Sequence, residues 1–233
     1  MVYLSHETML LMTLSYTEEN YLKTIFHIIM KSTGNAGTNA ISEALQTAPA
    51  SVTDMLKKLA DKDLVQYEKY KGVALTEAGN RIATELVRRH RIWEVFLVEK
   101  LGYSWDEVHD IAEQLEHIQS TTLINKLDDF LENPRFDPHG DPIPDANGKI
   151  YQRKQILLAK LQIGEKGEVV GVNEHSPEFL KYLNRIQLNI GTHVKVLEKF
   201  SFDGSEIIYV DNKKELTITY EVAKNIFISV LNN

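Results

Sequence analysis

Residues 41–75, ISEALQTAPASVTDMLKKLADKDLVQYEKYKGVAL, contain two short helical patterns followed by a hairpin pattern. The residues on one face of the first helix are Ile41, Ala44 and Leu45. Because proline suits the first turn of a helix, the second helix is expected to begin at Pro49. Its inward-facing residues at helical spacing are Val52, Leu56 and Leu59. Apolar and polar residues then alternate on both sides of a turn at 70–72, which predicts a small β-hairpin.

Two short helices joined by a tight turn, with a hairpin behind them, predict a winged helix-turn-helix, whose second helix enters the major groove of DNA. Ser and Thr side chains can contact base edges or thymine methyl groups, and lysines suit phosphates. The candidate DNA contacts are Ala50, Ser51, Thr53, Asp54, Lys57, Lys58, Lys69 and Lys71. Since helix pairs and hairpins occur in many folds, and acidic residues lie among these lysines, a solvated face is the alternative.

The segments on either side of this stretch have helical patterns. Residues 17–30 carry apolar side chains at three- and four-residue spacing, which predicts an amphipathic helix. A long helix is expected over residues 76–100, with a threonine cap. The sequence SWDE at 104–107 has the form of a capping box and predicts a helix that runs through His117. A third helix opens at Ser120. Its inward-facing residues are expected to be Leu123, Leu127 and Leu131.

The clearest boundary in the chain lies between Pro134 and Pro144, where four of the six prolines mark a linker or an extended arm. Beyond it, short β-rich runs separated by turns predict a small barrel of antiparallel strands. The expected strands are 168–172, 193–198, 206–210 and 215–220, with one short helix over 177–185. The fold class is therefore mainly α with a small β domain. The expected domains are a winged helix-turn-helix over 13–76, a helical domain over 77–133, a Pro-rich linker over 134–153 and a β-barrel over 154–233.

The composition excludes several classes of protein. The chain has 233 residues, no cysteine and a formal net charge of −7. Without cysteine there can be no disulfide, thiolate nucleophile or cysteine zinc site, so any metal must be held by nitrogen and oxygen. No stretch approaches the roughly 18 apolar residues that a membrane helix needs. The first fourteen residues contain no Lys or Arg and do not resemble a signal peptide. We expect a cytoplasmic protein with no membrane contact.

Residues 77–133 combine an acidic excess with clustered histidines. They hold six basic side chains, twelve acidic ones and three of the eight histidines. The residues that fall within an arc of about 100° on one expected helix are His109, Glu113, Glu116 and His117. His90 and Glu94 lie one turn apart on the preceding helix. Neutral imidazoles and carboxylates that converge from rigid elements can bind a divalent cation, whereas an acidic surface helix with chance histidines is the alternative.

A catalytic site is not expected. Residues 113–117 have the pattern Glu-x-x-Glu-His, which is one residue away from the inverted zinc-protease motif His-x-x-Glu-His. The first histidine of that motif is missing, and no other segment supplies a convincing general base. We therefore expect a protein that is not an enzyme.

The order of these features resembles the diphtheria-toxin-repressor family of dimeric, metal-activated bacterial transcription repressors. The most specific stretches are 19–25 (ENYLKTI), 89–91 (RHR), 108–117 (VHDIAEQLEH) and 138–144 (PHGDPIP). The likeness extends from about Thr13 to the C-terminus. It implies a winged helix-turn-helix, a helical metal-binding and dimerisation domain, and a C-terminal SH3-like β-barrel.

The resemblance also implies two metal sites. The primary site maps onto Glu113, Glu116 and His117, together with Asn20 from the first helix. The ancillary site maps onto His90, Glu94 and His109, with His175 and Glu178 of the SH3-like domain as further candidates. In the manganese-responsive branch, the His90 position joins the primary cluster.

The chain departs from the family pattern in its first helix. Asn20 stands where members have Asp or Met, and Lys23 stands where the manganese branch has Glu. A side-chain amide can still offer its carbonyl oxygen, but a charged lysine has no lone pair with which to ligate a metal.

These features together predict a homodimeric repressor that binds double-stranded operator DNA when it is loaded with Mn²⁺, with Fe²⁺ as the alternative. Glu113 stands where iron-responsive relatives place sulfur, and a shell of oxygen and imidazole ligands suits Mn²⁺ and Fe²⁺. The ion is expected to tie the first helix to the dimerisation block and so to space the two recognition helices by one operator turn, about 34 Å. The rival is a winged-helix regulator that senses a small organic ligand, with a structural His/Glu cluster.

Overall fold

The N-terminal part of the computed structural model forms three helices and a hairpin, as the sequence predicts. The structure describes residues 14–31, 34–68 and 71–230. Its first elements are α1 (Tyr16–Lys31), α2 (Thr38–Ala44), α3 (Pro49–Asp61), β1 (Val65–Glu68) and β2 (Gly72–Leu75). The helix pair α2–α3 and the hairpin β1–β2 form the winged helix-turn-helix.

A small apolar core fixes these elements. Its fully buried members include Leu22, Ile25, Ile41, Val52, Leu56 and Leu59. Strands β1 and β2 pair antiparallel, with Val65 opposite Leu75. Gly72 has a φ of +84°, and a Cβ at this position would lie 2.7 Å from the Ala36 carbonyl oxygen. The hairpin therefore requires glycine here, because other residues would clash in this conformation.

The helical block consists of α4 (Glu77–Leu101), α5 (His109–Leu115) and α6 (Thr121–Phe130). Thr76 caps α4 as expected, since its Oγ1 accepts a hydrogen bond of 3.0 Å from the backbone N–H of Gly79. In α6 the prediction of Leu123 as an inward-facing residue is wrong, because its exposed fraction is 39%. The buried residues are Ile124, Leu127 and Leu131, whose spacing of three and four defines one helical stripe.

Helix α5 is shorter at both ends than the sequence predicts. The capping-box bond forms, because the Ser104 backbone N–H donates to Glu107 Oε2 at 3.2 Å. Asp106, however, accepts hydrogen bonds from Ser104 Oγ and from Asn184 Nδ2, and residues 105–107 form a turn. The helix begins only at His109 and ends at Leu115. Glu116 and His117 therefore follow the helix in a turn.

The C-terminal part is an antiparallel β domain. Its elements are β3 (Ile156–Leu157), β4 (Lys166–Val172), α7 (Pro177–Ile186), β5 (His193–Lys199), β6 (Glu206–Val210), β7 (Lys214–Ile218), α8 (Tyr220–Ala223) and β8 (Ile226–Val230). The six strands form one sheet in the order β3-β8-β4-β5-β6-β7. The four strands and the helix expected from the sequence are confirmed within one or two residues. The sequence prediction did not include β3, α8 and β8.

The Pro-rich segment packs on this sheet. The backbone N–H of Val172 donates to the His139 carbonyl oxygen at 3.0 Å. Gly140 has a φ of +87°, and a Cβ there would lie 2.1 Å from the Val170 carbonyl oxygen. Arg153 donates to the carbonyl oxygens of both Gly140 and Val170. The segment therefore has a fixed backbone path, which positions the side chains at 137 and 139.

The chain forms two compact units. The first holds the residues up to His90, together with Glu113–Leu127 and Pro144–Lys149. The second holds Arg91–Ala112, Asp128–Ile143 and the residues from Ile150 onward. In the part of the chain that the structure describes, no helix is long and apolar enough to cross a membrane. Each of the two clusters of ionisable side chains described below lies within one unit.

Candidate functional site

The first cluster lies where α1 meets the turn after α5. Glu19, Asn20 and Lys23 are on the first two turns of α1, and Glu113 is near the end of α5. Glu116 and His117 follow α5, and His90 is contributed by α4. We call these seven residues the first centre. All seven are more than half buried, and Glu113 is the most exposed of them, with 44% of its side chain accessible.

Glu116 is the hub of the first centre. Its carboxylate is fully buried, and Oε1 accepts a hydrogen bond of 2.6 Å from Lys23 Nζ. Its other oxygen, Oε2, lies 2.6 Å from His90 Nδ1. Lys23 Nζ also lies 3.1 Å from Glu113 Oε1, so that one ammonium bridges two carboxylates. Burial raises the pKa of Glu116, but the hydrogen bond from His90 and the charge of Lys23 outweigh it and lower the pKa.

His117 is held with one ring nitrogen toward Glu116. Its Nδ1 lies 2.5 Å from Glu19 Oε2, and Glu19 also accepts a hydrogen bond of 3.1 Å from Gln119 Nε2. With Nδ1 bonded to a carboxylate, the lone pair of the neutral ring is on Nε2, which lies 4.0 Å from Glu116 Oε1. The ring of Tyr16 stacks on His117 with centroids 4.3 Å apart. Glu19 is therefore a positioning residue for His117.

The donor atoms of the first centre fit a divalent ion. An ion bonded at about 2.0–2.2 Å to two ligand atoms holds them roughly 3–4 Å apart, as His117 Nε2 and Glu116 Oε1 are placed. Asn20 Oδ1 is buried with no hydrogen-bond partner, which leaves one more oxygen able to ligate. Within the described residues, Glu113, Glu116 and His117 do not approach one another within 4.8 Å as a set of three. Lys23 lies between two of them.

The second cluster surrounds Glu94 of α4. Glu94 Oε1 lies 3.7 Å from Nδ1 of His109, and Glu94 Oε2 lies 3.6 Å from Nδ1 of His139. Asp137 Oδ1 is 3.9 Å from the same His139 nitrogen. Glu94, Asp137 and His139 are all buried, and one ligand atom from each lies within 4.8 Å of the other two. We call these four residues the second centre.

His139 also has its ring orientation fixed. Its Nε2 lies 2.8 Å from the carbonyl oxygen of Trp105, which makes Nε2 the donor and directs Nδ1 at the two carboxylates. Burial lowers the pKa of His139, but the hydrogen bond and charge of Glu94 outweigh it and raise the pKa to about 9. Burial and the charge of Glu94 raise the pKa of Asp137, against the opposing charge of Arg91. This excess of negative charge around an imidazole fits a cation.

The recognition helix α3 is tied to α1 beside the first centre. Glu18 is buried, and its Oε1 lies 2.6 Å from Lys62 Nζ and 3.3 Å from Lys58 Nζ. Burial raises the pKa of Glu18, but hydrogen bonds from Lys62, Ser15 and Lys58 outweigh it and lower the pKa to about 2. Because Glu18 directly precedes Glu19, consecutive residues of α1 hold α3 on one side and His117 on the other.

The expected DNA contacts lie on α3 and on the hairpin. The exposed ones are Ala50, Ser51, Asp54, Lys57, Lys58 and Lys71. Thr53 is half-buried, and its hydroxyl donates to the Pro49 carbonyl oxygen at 3.0 Å. Lys57 pairs with Asp54 at 3.4 Å and Lys71 with Glu68 at 2.6 Å. Lys69 lies outside the described residues.

Comparison with known proteins identifies the family. Three family models match the chain: the N-terminal DNA-binding domain of iron-dependent repressors over residues 13–73, their metal-binding and dimerisation domain over 76–145, and the FeoA domain over 156–230. The HTH-type transcriptional regulator MntR of Oceanobacillus iheyensis is 39% identical over 113 residues, which are 48% of this chain and 76% of that protein. The chain belongs to the iron-dependent repressor family, also called the diphtheria-toxin-repressor family.

Full-length relatives support the same assignment. The iron-dependent repressor IdeR of Mycobacterium leprae is 27% identical over 218 residues, which cover 89% of this chain and 94% of that protein. A solved manganese-dependent transcriptional repressor in complex with manganese superposes with a TM-score of 0.82 at 33% identity, and covers 92% of this chain and 100% of its own. The ScaR structure with bound Zn²⁺ has a TM-score of 0.73 at 31% identity. As a family member, the chain is a metal-dependent transcriptional repressor with helical DNA-binding and dimerisation domains and a C-terminal SH3-like domain.

The structure brings together some of the ligands that the resemblance implies. Glu113, Glu116 and His117 meet α1 in the first centre, where Asn20 is present and His90 contacts Glu116. Glu94 and His109 meet in the second centre. His175 lies beside it, with its ring centroid 5.2 Å from that of His139. Glu178 is exposed on the first turn of α7.

Sequence reasoning did not select four residues of these centres: Glu19, Lys23, Asp137 and His139. Asp137 directly precedes the stretch 138–144 (PHGDPIP), and His139 lies within it. A histidine in this specific stretch could have been chosen as a candidate metal ligand from the sequence. Glu19 directly precedes Asn20, and its position in the first turn of α1 was equally visible. The signal for Lys23 was its departure from the family pattern, and only the structure shows which carboxylates it contacts.

Proposed function

We propose that the chain is a cytoplasmic homodimer that represses transcription when Mn²⁺ occupies its two centres, with Fe²⁺ as the alternative activator. The observation that carries this proposal is the first centre itself. Its side chains connect α1 of the DNA-binding domain to the turn after α5. One ion bound there would therefore restrict the position of the winged helix-turn-helix.

In the first centre, Glu113, Glu116 and His117 would hold the ion, with Asn20 Oδ1 from α1. A bound divalent ion supplies a cross-link between α1 and the turn after α5. Glu19 holds the His117 ring with Nε2 toward Glu116, and His90 fixes the other oxygen of Glu116. These contacts preorganise the donor atoms.

The residues of α1 carry the constraint to the recognition helix. Glu18 contacts Lys58 and Lys62 of the α3 region, while its neighbour Glu19 contacts His117. If α1 is held at the first centre, α3 is held with it. When only a fraction of dimers has correctly placed recognition helices, the apparent DNA affinity falls by that fraction.

For the second centre we favour a ligand set that differs from the one expected from the sequence. Glu94 and His109 remain, and Asp137 and His139 of the Pro-rich segment take the place expected for Glu178. His175 stays a candidate because its ring lies next to that of His139.

The choice of Mn²⁺ rests on the donor types. The candidate ligands of both centres are only carboxylate, amide and imidazole groups, and the chain has no cysteine. Oxygen-rich sites suit Mn²⁺, although Fe²⁺ binds such sites more tightly, so selection depends on geometry and on metal availability in the cell. Glu113 supplies a carboxylate at the position where the resemblance implies a sulfur ligand in iron-responsive relatives.

The dimer and the operator are proposed from the two domains that the family models match, which are named for DNA binding and dimerisation. On α4, Trp93 and Phe96 are half-buried and stack edge to face with centroids 5.8 Å apart. We assign these two rings to the core next to the dimer interface or to the interface itself.

DNA binding measured under metal control tests this function. DNA duplexes selected in vitro with the Mn²⁺-loaded protein would be titrated anaerobically with chelator-treated protein, and then with added Mn²⁺ or Fe²⁺. We expect binding to be lost with chelator and restored by Mn²⁺ at lower concentrations than by Fe²⁺. The Glu113→Cys variant should shift this preference toward Fe²⁺. DNA binding that persists in chelator would favour the rival regulator of a small organic ligand, which the comparisons do not support.

A further inference from the structure

The ammonium group of Lys23 lies inside the first centre, between two carboxylates. Its side chain is 9% exposed, and its Nζ lies 2.6 Å from Glu116 Oε1 and 3.1 Å from Glu113 Oε1. The two glutamates it bridges are the carboxylates that the resemblance assigns to the primary metal. Both contacts join residues about 90 positions apart in the chain, so they link α1 to α5 and the turn that follows it.

The fully buried carboxylate of Glu116 needs a positive partner. A buried, unpaired charge is strongly unfavourable, and removal of one member of a buried ion pair destabilises a protein for that reason. Lys23 meets this need with three N–H donors and, while charged, has no lone pair for a metal. The ammonium can therefore neutralise the same oxygens that a metal would bind, but it cannot share the metal's coordination shell.

We propose that Lys23 is an internal cation that competes with the divalent ion for Glu113 and Glu116, and that metal binding moves its ammonium out of the first centre. The inference rests on the proposed assignment of that centre as a metal site. Two positive groups cannot both lie against these oxygens without strong repulsion. The oxygens of Glu113 and Glu116 are thus neutralised in two alternative ways, by the Lys23 ammonium or by the metal.

This competition raises the concentration of divalent metal that is needed to activate DNA binding. Metal binding must break two hydrogen-bonded ion pairs of Lys23, which weakens the affinity of the first centre for any divalent ion. A chain with an uncharged residue at position 23 would bind the ion more tightly. It would also lose one of the two close partners of Glu116, leaving His90 as the other, and be less stable until metal is added.

The affinity test compares three variants by the electron paramagnetic resonance signal of free Mn²⁺. All are made with Glu94→Gln, so that the second centre is weakened and the first is titrated. Lys23→Met should lower the Kd for Mn²⁺ by at least about tenfold, because repulsion between a unit charge and a dication is lost. Lys23→Arg keeps the charge and should stay within about threefold of the parent. Lys126→Met removes an exposed lysine of α6 and is the matched control.

Thermal unfolding adds a second readout. Without metal, Lys23→Met should melt about 5–10 °C below the parent, and Mn²⁺ should raise its melting temperature more than that of the parent. The control Lys126→Met should melt with the parent under both conditions.

A third readout uses the unaltered protein, so it holds even if Lys23→Met fails to fold. Reductive methylation of lysines followed by mass spectrometry should find Lys23 protected in chelator and modified in saturating Mn²⁺, with Lys126 modified equally in both. If Mn²⁺ binds and Lys23 stays protected, or if Lys23→Met binds Mn²⁺ with the parent's Kd, the competition is refuted while the metal site stands. If the unaltered protein binds no Mn²⁺, the proposed function itself fails and this inference with it.

Discussion

The two centres use the same kinds of side chain but balance their charge differently. In the first, Lys23 donates directly to Glu116 and Glu113, at 2.6 and 3.1 Å. In the second, the groups within 4 Å of the Glu94 carboxylate include His109 and His139, which are themselves metal ligands when neutral. On the proposed assignment, metal binding at the first centre displaces the Lys23 ammonium, whereas at the second centre it displaces only the proton of His139, whose pKa is raised to about 9. The two centres would therefore differ in what metal binding displaces, a side chain in the first and a proton in the second.

The largest expected effect comes from the hub of the first centre. Glu116→Gln and His117→Ala together should remove metal-dependent DNA binding while the dimer stays folded, because both donors face the same point. If about one dimer in a hundred is competent without metal, the apparent DNA affinity falls about 100-fold. Gel shifts with and without Mn²⁺ measure this, and light scattering checks the dimer. A double variant that still shows the parent's metal-dependent shift would refute the assignment.

The second centre offers a direct contrast between two candidate ligands. His139→Ala should lower the bound metal by one ion per chain and weaken Mn²⁺-dependent DNA binding by about tenfold, since Nδ1 of His139 faces two buried carboxylates. Glu178→Ala, on an exposed turn of α7, is the control and should change neither value. Metal analysis after gel filtration measures the stoichiometry. Loss of an ion in Glu178→Ala but not in His139→Ala would restore the ligand set expected from the sequence.

A smaller effect is expected where the first centre connects to the recognition helix. Glu18→Gln removes the charge that Lys58 and Lys62 contact, and should lower the free energy of unfolding by about 1–3 kcal/mol. It should also weaken the metal dependence of DNA binding without changing the Kd for Mn²⁺. The control is Glu77→Gln, whose side chain is 89% exposed and pairs with Arg81. That variant should stay within about 0.5 kcal/mol of the parent.

Denaturant titration measures the stability of Glu18→Gln and Glu77→Gln, and Mn²⁺ titration measures their Kd for the metal. The two measurements distinguish a link to α3 from a role in metal binding. If Glu18→Gln changed the Kd for Mn²⁺ as strongly as it changed DNA binding, Glu18 would belong to the metal site and not to the link with α3.

The smallest effects are expected on the DNA surface. Lys57→Ala and Lys71→Ala should each lower the slope of log K against log salt by about one, with no change in sequence preference. Ser51→Ala should instead change which duplexes are preferred. Binding isotherms at several salt concentrations test this, and an unchanged slope in Lys71→Ala would show that the hairpin does not contact DNA.

What the sequence predicted well was local. The helix pair, the hairpin and the Thr76 cap depend on apolar spacing and on single turns, whereas the metal ligands on α4 and α5 stay predictions. The failures have equally local causes. Leu123 was placed inward although Ile124 completes the buried stripe, and the SWDE box formed its bond within a turn because Asp106 is engaged by Asn184.

The parts of the site that sequence reasoning could not place depend on long-range pairing. Lys23 and Glu116 are 93 residues apart, and His117 and Glu19 are 98 apart. His139 reaches Glu94 only because the Pro-rich segment is fixed on the sheet through Gly140 and Val172. No periodicity within one helix encodes such contacts, so the proposed competition at Lys23 and the proposed ligands of the second centre could be inferred only from a three-dimensional structure.

A crystal structure of the Mn²⁺-loaded protein, with anomalous scattering recorded at the manganese edge, tests the central claim most directly. We expect two peaks per chain, one among Glu113, Glu116 and His117 with the Lys23 ammonium moved away, and one among Glu94, Asp137 and His139. A single peak outside both centres would contradict the account, as would manganese in the first centre with Lys23 still bonded to both glutamates.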